Sequence, residues 1–166
     1  KNVLFVDNLD NQIIKLDTSK WICKELEEVQ KKYFENIEKY QFHEIASLIY
    51  HFTWHTYCDW YIEFIKIDFD NEDNSEETKK VAGWVFVQIL KLLHPIMPFI
   101  TEKLWVSLVN NNTFLMNQNF TKIEYNLTFN ESRKYILKII EVMTSLRNLR
   151  ANLNISYKNE INIYLD

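Results

Sequence analysis

From Phe42 to Lys66 the chain reads FHEIASLIYHFTWHTYCDWYIEFIK, with no Pro or Gly to interrupt it. Apolar residues recur at Phe42, Ile45, Ile49 and Phe52, and again at Tyr57, Trp60, Tyr61, Phe64 and Ile65, which is helical spacing. The pattern predicts one long helix. Its apolar arc is too wide for a helix with a single wet face, so several neighbours are expected to cover it. A narrow polar stripe remains at Glu44, Ser47, His51, His55, Asp59 and Glu63, which makes this a central helix with one exposed seam.

The remaining composition favours the same architecture. One Gly and two Pro in 166 residues leave little material for hairpins or a phosphate-cradling loop, so Gly-rich nucleotide motifs are excluded and an all-α fold is favoured. A hydrophobic fraction of 47% supports one packed domain. Cys23 and Cys58 form no CxxC pair, so neither a disulfide framework nor a structural zinc site is indicated and a reducing cytoplasm fits. No apolar run reaches the roughly 18 residues of a membrane span, and the N-terminus has no signal-peptide pattern, so a soluble protein is expected.

Other helices follow from stripes and stop signals. Residues 1–10 resemble the truncated end of a preceding helix and a turn. Asp17, Thr18 and Ser19 offer N-caps for a helix from about 18 to 39 that buries Trp21, Ile22, Leu26, Val29, Tyr33, Phe34 and Ile37. Its charged face is an ordinary solvated surface. Asp68 to Glu77 carries six acids and no Lys or Arg, and is expected to be an exposed loop ending in an Asn74 or Ser75 cap. A third helix turns Val81, Val85, Ile89, Leu92 and Leu93 inward and stops at Pro95, with Gly83 either a close contact point or a weak spot. A fourth opens at Pro98 and buries Phe99, Leu104, Trp105 and Leu108. A polar crossing from Thr113 to Asn126, with a short extended piece at Lys122 to Tyr125, leads to a fifth helix capped near Asn130. That helix buries Tyr135, Ile136, Ile139, Ile140, Met143, Leu146 and Leu149. Ile161, Ile163 and Leu165 alternate in a C-terminal strand.

Charge is uneven. The net charge is −4, which argues mildly against a nucleic-acid partner, but Lys122 to Lys158 holds seven Lys/Arg and three acids, a net of +4 that leaves −8 for the remainder. Arg133, Lys134, Lys138, Arg147 and Arg150 lie on the fifth helix, a row able to meet a phosphate backbone or to serve as a charged exterior favoured by the helix dipole. His51, His55 and Asp59 lie at metal-chelating intervals, yet the residues between the histidines read HFTWH and lack the Glu of a zinc peptidase. Cys58 beside His55 reads as an inert buried thiol, and His94 as a helix C-terminal residue. No catalytic set emerges.

Three blocks, WHTYCDWYIE at 54–63, LLHPIMPFITEKLW at 92–105 and SLRNLRANLNI at 145–155, resemble in order and spacing the anticodon-binding region of the valyl-tRNA synthetases. The resemblance covers nearly the whole chain. It implies a class I synthetase helical bundle that docks the anticodon stem and loop of valine-accepting tRNA, in the cytoplasm, as a monomer. The catalytic domain would lie elsewhere in the same polypeptide. Neither the HIGH nor the KMSKS signature occurs in these residues, so this chain is expected to be a ligase fragment without activity of its own and without a cofactor. ATP, and any zinc or magnesium, would belong to the catalytic part. Carried over by motif, tRNA contacts fall on Ile62 and Lys66, and on Lys1 and Asn2, where the family's R/K-F-V stretch begins. Asn2 departs from that pattern, since it cannot stack on a base as an aromatic would. ISYKNE at 155–160 likewise replaces the family's Pro-rich turn. Trp60 and Tyr61 read as core.

The expected architecture is therefore an all-α bundle of four to five helices with a short C-terminal β-strand. It divides into the edge at 1–10, the helical anticodon-binding bundle at 18–151 and the start of a small subdomain at 155–166. The expected tRNA-binding set is Lys1, Asn2, Ile62, Lys66, Arg147 and Arg150. Two readings from other classes stand beside it: a divalent-metal-binding or hydrolytic helical protein using His51, His55 and Asp59, and a protein-interaction bundle.

Overall fold

The computed structural model describes residues 3–69, 72–109, 112–120, 123 and 127–156. Lys1, Asn2, the expected strand at 160–165 and all of the extended piece at 122–125 except Ile123 lie outside them. The described residues form an all-helical bundle with no strand. Its helices are α1 (Asp17–Glu38), a continuous central run made of α2 (Phe42–His51), a π-helical segment (Phe52–Tyr61) and α3 (Ile62–Asp68), then α4 (Glu72–Leu93), α5 (Pro98–Leu108) and α6 (Leu127–Asn152). No described helix is long and apolar enough to cross a membrane.

The central run is one helix, as its pattern predicts, but its middle is wound in the π register. The buried positions explain why. Ile45, Ile49 and Phe52 step by four and three, and the next buried residue, Tyr57, is five further on. An i→i+5 turn accommodates that step and keeps Phe52, Tyr57, Tyr61 and Ile65 on the core side. The Tyr57 hydroxyl fixes the register by donating to the Ala82 carbonyl of α4 at 2.9 Å. The exposed side is broader than a seam: the polar stripe is open throughout, and Phe42, Tyr50, Trp54 and Cys58 are open with it. Cys58 is thus an exposed thiol rather than a buried one.

The main core joins α1, the central helix and α4 through Trp21, Ile22, Leu26, Tyr33, Ile49, Tyr61, Val81 and Val85. The inward face expected of α4 is buried as predicted, with Leu93 partly so. α1 begins without a side-chain cap. Glu77 of α4 instead accepts the Lys15 and Leu16 N–H groups at 3.0 and 2.9 Å, and Asp17 accepts from Ser132 of α6 at 2.7 Å. The acids expected in an exposed loop therefore include the opening turns of α4, one of which anchors the start of α1. Asn74, expected as a cap, lies inside α4 and donates to Asp68 at the end of α3.

Three further segments differ from the expected arrangement. Residues 3–10 take no helical conformation and pass α4, where Phe5 packs on Phe86 and Asp7 pairs with the buried Lys91. On α5, Trp105 is buried, but Phe99 is 91% exposed and Leu108 is open as well, because one edge of this helix alone meets the small cluster of Val87, Leu90 and Leu115. α6 starts at Leu127, before Asn130, and is packed by α1 through Phe129, Ser132 and Ile136. From Glu141 onward it stands largely in solvent, so Met143 and Leu149, expected inside, are exposed, as is Tyr135 on its outer face.

Candidate nucleic-acid interface

The basic row of α6 does not act as one surface. Arg133 is spent on structure: its Nε and Nη2 donate to the two carboxylate oxygens of Glu25 at 2.7 and 3.4 Å, tying α6 to α1. That carboxylate raises the guanidinium pKa further above its already high ordinary value. Lys134 and Lys138 are exposed. Two turns or more further on, Arg147 returns to the body, its guanidinium carbon lying over the Trp60 ring at 4.6 Å from the centroid. Trp60, next to last in the π segment, packs on Phe64 of α3, which in turn meets Trp21 edge-on. The basic end of α6 and the C-terminal half of the central helix are thereby brought together.

The sequence-predicted residues fall around this junction in different states. Lys66 is exposed and ion-paired to Glu63, one turn before it. Such a surface pair contributes little, about 0–1 kcal/mol, and is readily exchanged for another anion. Ile62 is half-buried and packed on the main core, which restricts the apolar surface it presents. Arg150 is half-buried in the last turn of α6 and holds its own contacts. Its carbonyl accepts from Ile155 N–H at 2.9 Å, and Asn154 at φ 52° reverses the chain behind the helix. Lys1 and Asn2 lie outside the described residues.

Ile67, 82% exposed beside Lys66, escaped the sequence reading. The signal was present, since Ile67 continues the exposed stripe Asp59, Glu63 by one more step of four. The Arg147–Trp60 contact had no such signal, because it joins residues far apart in the chain.

The histidines of the same stripe form an aromatic group rather than a metal centre. His51 and His55 stack with ring centroids 5.3 Å apart, Tyr50 meets both edge-on, and His55 Nδ1 lies 3.2 Å from Asp59 Oδ2. Among the described residues no group of three or more His, Cys, Asp or Glu could hold a metal ion. Although Cys58 is exposed, partial desolvation by its neighbours, and after it the Asp59 charge, raise its thiol pKa, which suppresses the thiolate a nucleophile needs. His94 Nδ1 shares a hydrogen bond with Thr101 Oγ1 at 2.8 Å and its Nε2 lies 3.9 Å from Glu102 Oε2, in the corner between α4 and α5, where the Thr101 hydroxyl donates to the Met97 carbonyl at 2.8 Å.

Residues 19–165 match the family described as the anticodon-binding domain of tRNA ligase. Curated relatives agree. The chain is 36% identical to a valine–tRNA ligase of Pelagibacter ubique, over 99% of this chain and 20% of that protein. It is 37% identical to one of Staphylococcus epidermidis, over 81% of this chain and 16% of that protein. It is 34% identical to one of Staphylococcus haemolyticus, over 88% of this chain and 17% of that protein. The chain thus spans about a fifth of the length of the curated relatives it matches. The metal-binding and protein-interaction readings are not favoured by these findings.

Proposed function

The chain belongs to the anticodon-binding domain family of tRNA ligases, and from that premise we propose that it docks the anticodon stem and loop of a valine-accepting tRNA. The observation that carries this reading is the junction of Arg147 with Trp60, which sets the basic end of α6 beside α3. RNA is held there by Lys66, Arg147 and Arg150 at phosphates or base edges. Ile62, with Ile67 next to Lys66, supplies apolar surface under a base. Lys1 and Asn2 add contacts at the N-terminal edge. Glu76 and Glu77, in the opening turns of α4, disfavour phosphate beside them.

In this reading the domain acts in cis for a catalytic domain of the same polypeptide in the cytoplasm, as a monomer, and residues from 155 onward begin a small subdomain. Aminoacylation of tRNA with valine, and the ATP it consumes, belong to that catalytic domain.

Counterion release makes the reading testable, because each phosphate-contacting cation contributes about one unit to the slope of log affinity against log salt. The variant Lys66→Ala, Arg147→Ala, Arg150→Ala, with an unchanged circular dichroism spectrum, is expected to bind tRNA more weakly and with a flatter salt dependence. Unchanged affinity and slope would overturn the assignment. Ile62→Ala is expected to alter discrimination between anticodons more than salt dependence.

A further inference from the structure

Arg147 differs from the other anchored cations of this domain in what anchors it. Lys24 pairs with Glu27, Lys66 with Glu63, Lys80 with Glu76, Lys91 with Asp7 and Arg133 with Glu25, so each of those charges is neutralised by a carboxylate. Among the described residues no carboxylate pairs with Arg147. The two nearest acids along the central helix are engaged elsewhere, Asp59 by His55 and Glu63 by Lys66. What holds Arg147 is the face of the Trp60 indole, 4.6 Å from the guanidinium carbon to the ring centroid.

That difference has a chemical consequence. A carboxylate engages the guanidinium N–H donors and cancels the charge, as Glu25 does to Arg133. A ring face attracts the cation through its quadrupole and leaves both the charge and the donor edge available. The indole is itself fixed, since Trp60 packs on Phe64 at 5.7 Å and both are set against the main core. The result is an exposed, unneutralised guanidinium held in place on a rigid support, the arrangement a bidentate phosphate contact requires.

We propose that Trp60 is a positioning residue for RNA binding: it holds the Arg147 guanidinium over the α3–α6 junction with its donors free for a backbone phosphate. This rests on the reading of the domain given above, and it assigns to Trp60 a role distinct from filling the core.

The test uses the full 166-residue chain and a valine-accepting tRNA transcript titrated over a range of salt. Trp60→Met fills much of the volume without the quadrupole, and Trp60→Phe keeps a ring. Trp60→Met is expected to weaken binding about 2- to 5-fold, the equivalent of a cation–π contact of about 0.5–1 kcal/mol. It should flatten the salt slope toward that of Arg147→Ala, while Trp60→Phe retains most of the affinity. Because the two residues act as one unit, Trp60→Met combined with Arg147→Ala should bind no more weakly than Arg147→Ala alone. Additive losses, or a Trp60→Met chain that binds with wild-type affinity and slope, would overturn the proposal. If the triple cation variant is still weakened in that case, the RNA-binding reading survives and the positioning role alone is lost. A second measurement needs no change at Trp60: in the wild-type chain the Arg147 Nε–H should show a heteronuclear NOE near that of ordered backbone, and a value typical of a freely rotating side chain would overturn the proposal.

Discussion

Gly83 of α4 lies directly against the backbone of Leu4, so that a Cβ built on Gly83 would overlap the Leu4 carbonyl group. The single glycine of the chain is thus a close-approach residue, needed for the missing side chain rather than for backbone freedom. The contact is secured by the Leu4 N–H donating to the Lys79 carbonyl, one turn earlier on α4.

Gly83→Ala must displace backbone, since no flexible side chain can move aside. The expected cost is about 1–3 kcal/mol, the range for overpacking a close contact, read as a lower thermal midpoint. An Ala variant as stable as the wild type would contradict the packing of residues 3–7 on α4.

Gln30 of α1 offers a second, independent probe. It is buried, and its Oε1 accepts the Ile123 N–H at 2.8 Å, pinning the crossing segment to the bundle. Gln30→Leu keeps comparable bulk and strands that N–H, with an expected loss of about 1–3 kcal/mol. Denaturant midpoints for the two chains decide the point, and equal midpoints would show that Ile123 finds another acceptor.

The two thiols should separate by reactivity. Cys23 is fully buried and Cys58 is exposed, so one thiol is expected to react with iodoacetamide in the native chain and two after unfolding. The Cys58 pKa is raised, so its thiolate is scarcer at any given pH and its rate profile should rise at higher pH than that of a free cysteine peptide. A profile shifted to lower pH would contradict the environment described for Cys58.

The isolated chain is expected to show background levels only in valine-dependent ATP–pyrophosphate exchange. Exchange above background would mean that a catalytic site had been missed in these residues.

The fold was legible in the sequence wherever a helix is covered on its apolar side. Val81, Val85, Ile89 and Leu92 fell where periodicity put them, and Pro98 opened α5. Periodicity failed where an apolar stripe meets no partner, as at Phe99, Leu108, Met143 and Leu149, because spacing reports which residues share a face and not whether anything covers it. It also could not name the π register, although the five-residue gap from Phe52 to Tyr57 was its trace. The candidate interface was legible only in its parts. Lys66, Arg147 and Arg150 came from charge and motif, whereas the loss of Arg133 to Glu25 and the anchoring of Arg147 on Trp60 depend on pairs more than 80 residues apart in the chain.

Anticodon docking by this domain is tested by a titration of the wild-type chain with valine-accepting tRNA and with an unrelated tRNA at matched salt. Electrostatic contact alone would hold both equally, while contacts to the anticodon favour one. Tighter binding of the valine-accepting tRNA is expected, with similar salt slopes for the two. Equal affinity for both, or no salt-sensitive binding of either, would contradict anticodon docking.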